Sequence, residues 1–182
     1  ISLDFVAVDG TKIRADAGIR FTGSVEEFRQ QRDRIEKKIE KLLCHTTDED
    51  TEDTACREEK LDTLESEKVK IEAFLTEVEQ GEAPRGKVSL TDRDACMVKD
   101  KGGKYMGYNC QMAVDEESHA IVGAEVFNEA SDRGLLQPMI EEVRDQTGKD
   151  LSQTEISADA GYFSSDNIRY CHEQGLDAYL PE

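Results

Sequence analysis

Short apolar runs bounded by turn residues recur along the chain and predict buried strands. They occupy residues 3–8 (LDFVAV), 154–158 and 177–180. We expect the first strand to end at Asp9, with residues 12–22 irregular. Strict alternation over 104–114 and 120–126 predicts an antiparallel β-hairpin with one buried face. On the first of these two strands that face would carry Met106, Tyr108, Cys110, Met112 and Val114.

Between these strands, alternating three- and four-residue steps of seam positions predict two long helices. Ser24 and Glu27 form a capping box before the first helix. Two such seams joined by a polar loop at 45–54 predict an antiparallel helical hairpin over residues 24–80. The register predicts two cross-helix ion pairs, Arg32–Glu72 and Lys68–Glu36. The seam positions are Val25, Phe28, Arg32, Ile35, Ile39 and Leu42, then Leu61, Leu64, Lys68, Ile71, Leu75 and Val78.

Two shorter helices complete the pattern. Ser131 can cap a helix that runs to Gly148, and Ser164 or Ser165 can cap another that ends at Gly175. Without the hairpin the order is β-β-β-α-β-α-β. This order predicts an α/β fold, a mixed sheet flanked by helices over residues 1–182, with the hairpin inserted in it.

Composition narrows the function classes. The net charge of −18 argues against simple non-specific nucleic-acid binding. The charge is uneven, however: residues 26–82 hold 19 acids and 10 bases, whereas residues 84–110 hold six bases and three acids. Five irregularly spaced cysteines are typical of reduced thiols in the cytoplasm. The chain lacks an apolar run of about 18 residues and does not begin with Met, so we expect an excised fragment with no membrane span.

Two aspartates follow predicted strands that this topology places side by side. Asp9 ends the first strand, and Asp159 ends the strand at 154–158. Carboxyl ends of strands gather function in open α/β sheets. Two converging carboxylates can share Mg²⁺ or Mn²⁺ through oxygen ligands. Either residue alone is more often a turn residue, so it is their combination that predicts a metal site.

Four ordered blocks resemble the DDE transposases of bacterial insertion sequences, in particular the group with a helical insertion after the first catalytic strand. The resemblance implies an RNase H-like catalytic core that cuts and rejoins DNA with two Mg²⁺ or Mn²⁺ ions. Asp9 would be the first acid and bridge both ions. Asp159 would be the second acid, bind one ion and orient the attacking water or 3′-hydroxyl. The blocks are VAVDGTKIRADA (6–17), SLTDRDACMVKDKGGKYMGYNCQMAVD (89–115), VFNEASDRGLLQPMIEE (126–142) and SADAGYFSSDNI (157–168).

The resemblance also implies a third acid, a Glu on a helix after the last core strand. Glu182 comes too early to be that residue, so we expect residues 1–182 to bind metal weakly and to be inactive alone. Asp132 is interpreted as the first-turn acid of a helix, and Tyr162 as a residue that packs the turn. DNA phosphates are expected to be contacted by basic residues at five positions: Lys12, Arg14, Lys99, Lys101 and Lys104.

Three functions remain open at this point. The first is a transposase core that acts on transposon ends and target DNA, in the cytoplasm at the bacterial nucleoid. The second is another RNase H-like nuclease, which the insertion and the later blocks disfavour. The third is an inactive transposase-derived remnant whose acidic hairpin binds a partner. The hairpin helices can pair within one chain or swap between two chains, so a homodimer is an open alternative.

Overall fold

A computed structural model of the chain describes residues 1–44, 51–81, 83–84 and 86–182, with the backbone alone for residues 51–53. The chain forms two compact units, one of residues 1–15 with 94–182 and one of residues 16–93. The elements in chain order are β1 (Phe5–Arg14), β2 (Thr22–Gly23), α1 (Val25–Cys44), α2 (Thr51–Gln80), β3 (Val88–Ser89), β4 (Cys96–Asp100), β5 (Gly103–Asp115), β6 (Ile121–Phe127), α3 (Leu136–Thr147), β7 (Glu155–Ala158), α4 (Ser165–Gln174) and β8 (Asp177–Tyr179).

The first unit is a mixed sheet in the order β4-β5-β1-β7-β8, with β6 also paired to β5. β1 runs parallel to β7 and antiparallel to β5. The predicted α/β class, a mixed sheet flanked by helices as in an RNase H-like core, is confirmed. The core between the sheet and its helices includes Val8, Leu136, Met139, Ile140 and Ile156.

Strand β1 is longer than predicted. It does not end at Asp9 but continues to Arg14, because residues 9–14 pair with residues 107–112 of β5. Asp9 therefore lies within a strand, one residue after the parallel pairing with β7 ends. The strand β4 and the two-residue strands β2 and β3 were also not predicted.

The β5–β6 hairpin is confirmed, but its predicted buried face is wrong for most of β5, where Met106 alone on that face is buried. Met112 is 41% exposed, whereas Asn109 and Gln111 on the opposite face are 0% and 1% exposed. The buried face is thus partly polar. Its amides are accommodated because each has hydrogen-bond partners in the interior.

Both predicted helices after the hairpin are present. Gly148 and Gly175 end them in the left-handed conformation, with φ of 64° and 66°. The hydroxyl of Ser164 caps α4 by accepting a hydrogen bond from the Asn167 amide at 3.1 Å. Ser131 does not cap α3, which begins only at Leu136, so that Pro138 falls in its first turn.

In the second unit, α1 packs against α2 through an apolar core. This core comprises Phe28, Ile35, Ile71, Phe74 and Leu75, with the Phe28 and Phe74 rings in edge contact at 5.2 Å. The capping box is confirmed: Ser24 and Glu27 each donate a backbone amide to the other's side chain. Residues 45–50 of the predicted loop lie outside the described residues, and residues 51–54 belong to α2.

One of the two predicted cross-helix ion pairs is confirmed. Lys68 Nζ lies 2.8 Å from Glu36 Oε1. The other is wrong, because the Arg32 guanidinium turns to Asp33 at 2.8 Å and Glu72 pairs with Lys68 at 3.6 Å. Across the described parts of the chain, no helix is both long enough and apolar enough to cross a membrane.

Candidate catalytic site

Asp9 lies in β1, and Asp159 directly follows β7, the neighbouring parallel strand. The register pairs Val6 with Ile156 and Val8 with Ala158, and each aspartate is the residue that follows the last of these pairs. Neighbouring strands are about 4.8 Å apart, so the two aspartates follow adjacent points of the sheet. The prediction that the two acid-bearing strands lie parallel and side by side is confirmed.

Both aspartates are exposed, and both are anchored by a backbone amide. Asp9 Oδ1 accepts a hydrogen bond from the Gly10 amide at 2.7 Å. Asp159 Oδ1 accepts one from the Gly161 amide at 2.8 Å, which starts a short 3₁₀ turn at Ala160–Tyr162. Each carboxylate keeps its second oxygen for another partner, since a carboxylate has about four acceptor sites.

Asp132 lies beside Asp159, and its predicted role is wrong. It precedes Leu136, the first residue of α3, by too far to be a first-turn acid. A Cβ at Gly161 would lie 2.9 Å from Asp159 Oδ1 and 3.3 Å from Asp132 Oδ2, so both carboxylates border one small space. The sequence singles out Asp132, because this residue lies in one of the four blocks of the resemblance, residues 126–142. The sequence pattern does not indicate which residues Asp132 contacts.

Asp132 is held by donors from two strands. Lys12 Nζ, Asn109 Nδ2 and Gln111 Nε2 donate to its Oδ1 at 2.8, 2.7 and 3.0 Å. Burial raises the pKa of Asp132, but the hydrogen bond from Lys12, then those from the amides, outweigh burial and lower the pKa below its usual value. Asp132 is therefore ionised at neutral pH.

Tyr162 is the buried end of the hydrogen-bond network around Asp132. Its side chain is 1% exposed, and its hydroxyl donates to Gln111 Oε1. The prediction that it packs the turn is confirmed. Burial raises its pKa, and so do the charges of Asp132, Asp9 and Asp159. The hydroxyl is therefore protonated at neutral pH and donates to Gln111.

Asn167 joins the Asp132 loop to the Asp159 turn. Its side-chain amide donates to the Arg133 carbonyl at 2.8 Å and to the Tyr162 carbonyl at 2.6 Å. The side chain is 4% exposed, so these bonds are shielded from competing water. Helix α4 therefore fixes the two acid-bearing loops relative to each other.

The basic residues expected to contact DNA fall into two groups. Lys12 points inward to Asp132, and its side chain is 16% exposed. Lys99, Lys101 and Lys104 are exposed around the β4–β5 turn, where Lys99 and Lys104 pair directly across the strands. In the residues that the structure describes, none of these three has an ion-pair partner. The exposed Arg14 guanidinium stacks on the Tyr105 ring at 4.2 Å.

Comparison with known families identifies the family of the chain. The family model described as "Transposase DDE domain" matches residues 76–182. The chain belongs to this transposase family. No curated protein and no solved structure matches it.

The DDE-domain match covers part of the candidate site. Asp132, Asp159 and the β4–β5 lysines lie within it, whereas Asp9, Lys12 and Arg14 precede its first residue. Asp9 is therefore assigned to the candidate site by the β1–β7 strand pairing and not by the family match. Side chains of His, Cys, Asp and Glu in the described ranges form no group of three or more that could hold a metal ion. Two carboxylates with unused oxygens still have the donor chemistry that a hard divalent cation prefers.

Proposed function

We propose that Asp9 and Asp159 are catalytic carboxylates of a DNA transposase domain that cleaves and rejoins DNA by metal-assisted phosphodiester transfer. The observation that carries the proposal is their equivalent position, one residue beyond the last pair of the parallel strands β1 and β7. The family match supports transposase chemistry in general, with DNA as the substrate. The protein would act on transposon ends and target DNA in the cytoplasm, at the nucleoid.

The two aspartates would hold Mg²⁺ or Mn²⁺, two ions in the complete site. Bound ions of this kind supply an activated oxygen nucleophile and stabilise the leaving oxygen of a phosphodiester. Within the chain, the Gly10 and Gly161 amides hold one oxygen of each carboxylate and leave the other free to face a ligand. A third acid on a helix after β8 is part of the proposal.

The β4–β5 turn is proposed as a contact for the DNA backbone. Lys99 and Lys104 are directly opposite each other, an arrangement that disfavours the strand pairing. Three exposed lysines without ion-pair partners in the described residues are free to neutralise phosphates. Arg14, which lies at the adjoining end of β1, would extend this basic surface.

The strand geometry predicts a distance between the reacting phosphate and the part of the DNA backbone that the lysines contact. Asp9 pairs with Met112, and strand β5 runs from there back to Lys104 over roughly 27 Å at about 3.4 Å per residue. A duplex lying along the strand would meet the lysines roughly eight base pairs from the reacting phosphate, at about 3.4 Å per pair. Footprinting on element ends would measure this offset.

The test of the function is DNA strand cleavage. A longer form of the protein that includes a helix after β8 should nick a plasmid carrying the ends of its own element. Nicking should require Mg²⁺ or Mn²⁺ and should stop with EDTA and in Asp9→Asn. A full-length protein that folds but does not nick its own ends would contradict the proposal.

A second candidate function is a binding module in an inactive remnant. It is favoured by the acidic α1–α2 hairpin, whose apolar seam carries one charged residue from each helix, Arg32 and Lys68. A charged residue at a seam position can set the choice of partner. In that case the hairpin would mediate dimerisation. Light scattering coupled to size exclusion would give the mass of a dimer, and Asp9→Asn would leave metal binding unchanged.

A further inference from the structure

Lys12 and Asp132 form an ion pair that is largely enclosed beside the candidate site. Their side chains are 16% and 25% exposed, and the Nζ–Oδ1 distance is 2.8 Å. Asn109 and Gln111 donate to the same Oδ1 atom. This oxygen is therefore saturated with three donors.

The second oxygen of Asp132 faces the site. Asp132 Oδ2 and Asp159 Oδ1 both lie within 3.3 Å of the point where a Cβ would stand at Gly161. No hydrogen bond reaches Oδ2 from any residue within the described ranges. The charge of Asp132 thus acts on the same space as the charge of Asp159.

The pair also connects the elements that carry the two aspartates. Lys12 stands three residues after Asp9 on β1, and Asp132 is linked through Gln111 to Tyr162 in the Asp159 turn. Movement of either segment would break at least one of these bonds. A largely enclosed network of this kind favours one arrangement of its members.

We propose that Lys12 and Asp132 act as a charge-balanced pair beside the candidate site: together they add no net charge to the space that a cation would occupy. This inference rests on the proposed metal site. It gives Lys12 an inward role in place of contact with DNA. The pair is neutral as a unit, so either residue alone leaves a charge beside the site.

Single substitutions should therefore change metal affinity in opposite directions. Asp132→Asn leaves the Lys12 ammonium unopposed, which repels a divalent cation and weakens binding roughly tenfold. Lys12→Met leaves the Asp132 carboxylate, which attracts the cation, so binding should be tighter than in the wild type. The double variant restores neutrality and returns the affinity to within about threefold of the wild type. Lys12→Arg keeps the charge and should bind as the wild type does.

A purely structural pair would behave differently. Both single variants would then lower the melting temperature and weaken metal binding together, since an unfolded site binds no metal. Melting temperatures measured on the same samples separate the two effects. Lys68→Met and Glu36→Gln in the α1–α2 hairpin are matched controls, because that pair has the same 2.8 Å distance. They should leave metal affinity unchanged.

The experiment is a titration of residues 1–182 with Mn²⁺, in which free Mn²⁺ is followed by its electron paramagnetic resonance signal. Opposite shifts for Asp132→Asn and Lys12→Met support the inference, and shifts of the same sign, or none, overturn it. If Asp132→Asn does not fold, Lys12→Met decides alone, since weaker binding by a folded Lys12→Met variant contradicts the account. Asp9→Asn separates the two proposals: if it binds as the wild type does, the metal site itself is wrong.

Discussion

Asp9 and Asp159 occupy equivalent positions, one residue beyond the last pair of the parallel β1–β7 ladder. This relationship connects two acids that are far apart in the sequence, with the α1–α2 hairpin between them. The relationship matters for the chemistry, because carboxylates at neighbouring strand ends can share hard cations. The DDE-domain family match, which begins at residue 76, reaches only the second of them.

The lysines of the β4–β5 turn should lower the stability of the fold and strengthen DNA binding. Lys104→Glu would place an acid directly opposite Lys99, so the free energy of unfolding should rise by about 0.2–1 kcal/mol. The same change should weaken DNA binding and reduce the salt dependence of the binding constant by about one to two ions. Urea unfolding and fluorescence anisotropy at several salt concentrations measure the two effects.

Lys60→Glu in α2 is the control for the Lys104 variant. It changes the net charge by the same amount on an exposed helix position in the second unit. It should leave the salt dependence of DNA binding as it is. Equal loss of DNA affinity in both variants would mean that net charge, rather than the β4–β5 surface, controls binding.

Gly10 should tolerate no side chain. A Cβ there would lie 2.2 Å from Gln111 Nε2, and Gln111 is 1% exposed and bonded to Asn109 and Asp132. Gly10→Ala should therefore lower the free energy of unfolding by about 1–3 kcal/mol through overpacking. The measurement is thermal unfolding followed by circular dichroism.

Gly18→Ala is the matched control for Gly10→Ala, since a Cβ at Gly18 meets nothing within 4 Å. It should be neutral or slightly stabilising, because alanine restricts the unfolded chain. Equal melting temperatures for the two variants would show that Gln111 can move aside at no cost.

Asp115 should make stability depend on pH in the acid range. The Ser118 hydroxyl, then the Ser118 and Leu3 amides, donate to its carboxylate and lower its pKa to about 2. A lowered folded-state pKa adds stability that is complete above the unfolded-state pKa of 3.8. That stability is lost as the pH falls through the range from about 4 to about 2.

Asp115→Asn should remove this part of the pH dependence. The variant should be less stable than the wild type at pH 7, and the difference should shrink between about pH 4 and pH 2. Urea unfolding at a series of pH values tests it, with Glu117→Gln, an exposed neighbour, as the control. Parallel pH profiles for wild type and Asp115→Asn would contradict the assignment.

The sequence predicted what depends on local pattern. Heptad steps predicted the hairpin, the capping box at Ser24 predicted its first helix, and the apolar runs predicted the parallel strands that carry Asp9 and Asp159. These features follow from side-chain periodicity and caps, which are properties of neighbouring residues.

What the sequence did not predict depends on contacts between distant segments. The apolar alternation of β5 favoured burial of Met112, but the interior is filled by Asn109 and Gln111 because Asp132 and Tyr162 satisfy their amides. Asp132 shows the same effect. Its convergence with Lys12 becomes visible only when β1, β5 and the loop before α3 are assembled.

The measurement that tests the central claim most directly is a calorimetric titration with Mn²⁺ of the wild-type chain, Asp9→Asn and Asp159→Asn. Asp166→Asn serves as the control, because this exposed aspartate lies in the first turn of α4. We predict that the wild type and Asp166→Asn bind Mn²⁺ equally, and that the other two variants lose the binding while they remain folded. Identical isotherms for the wild type, Asp9→Asn and Asp159→Asn would contradict the account.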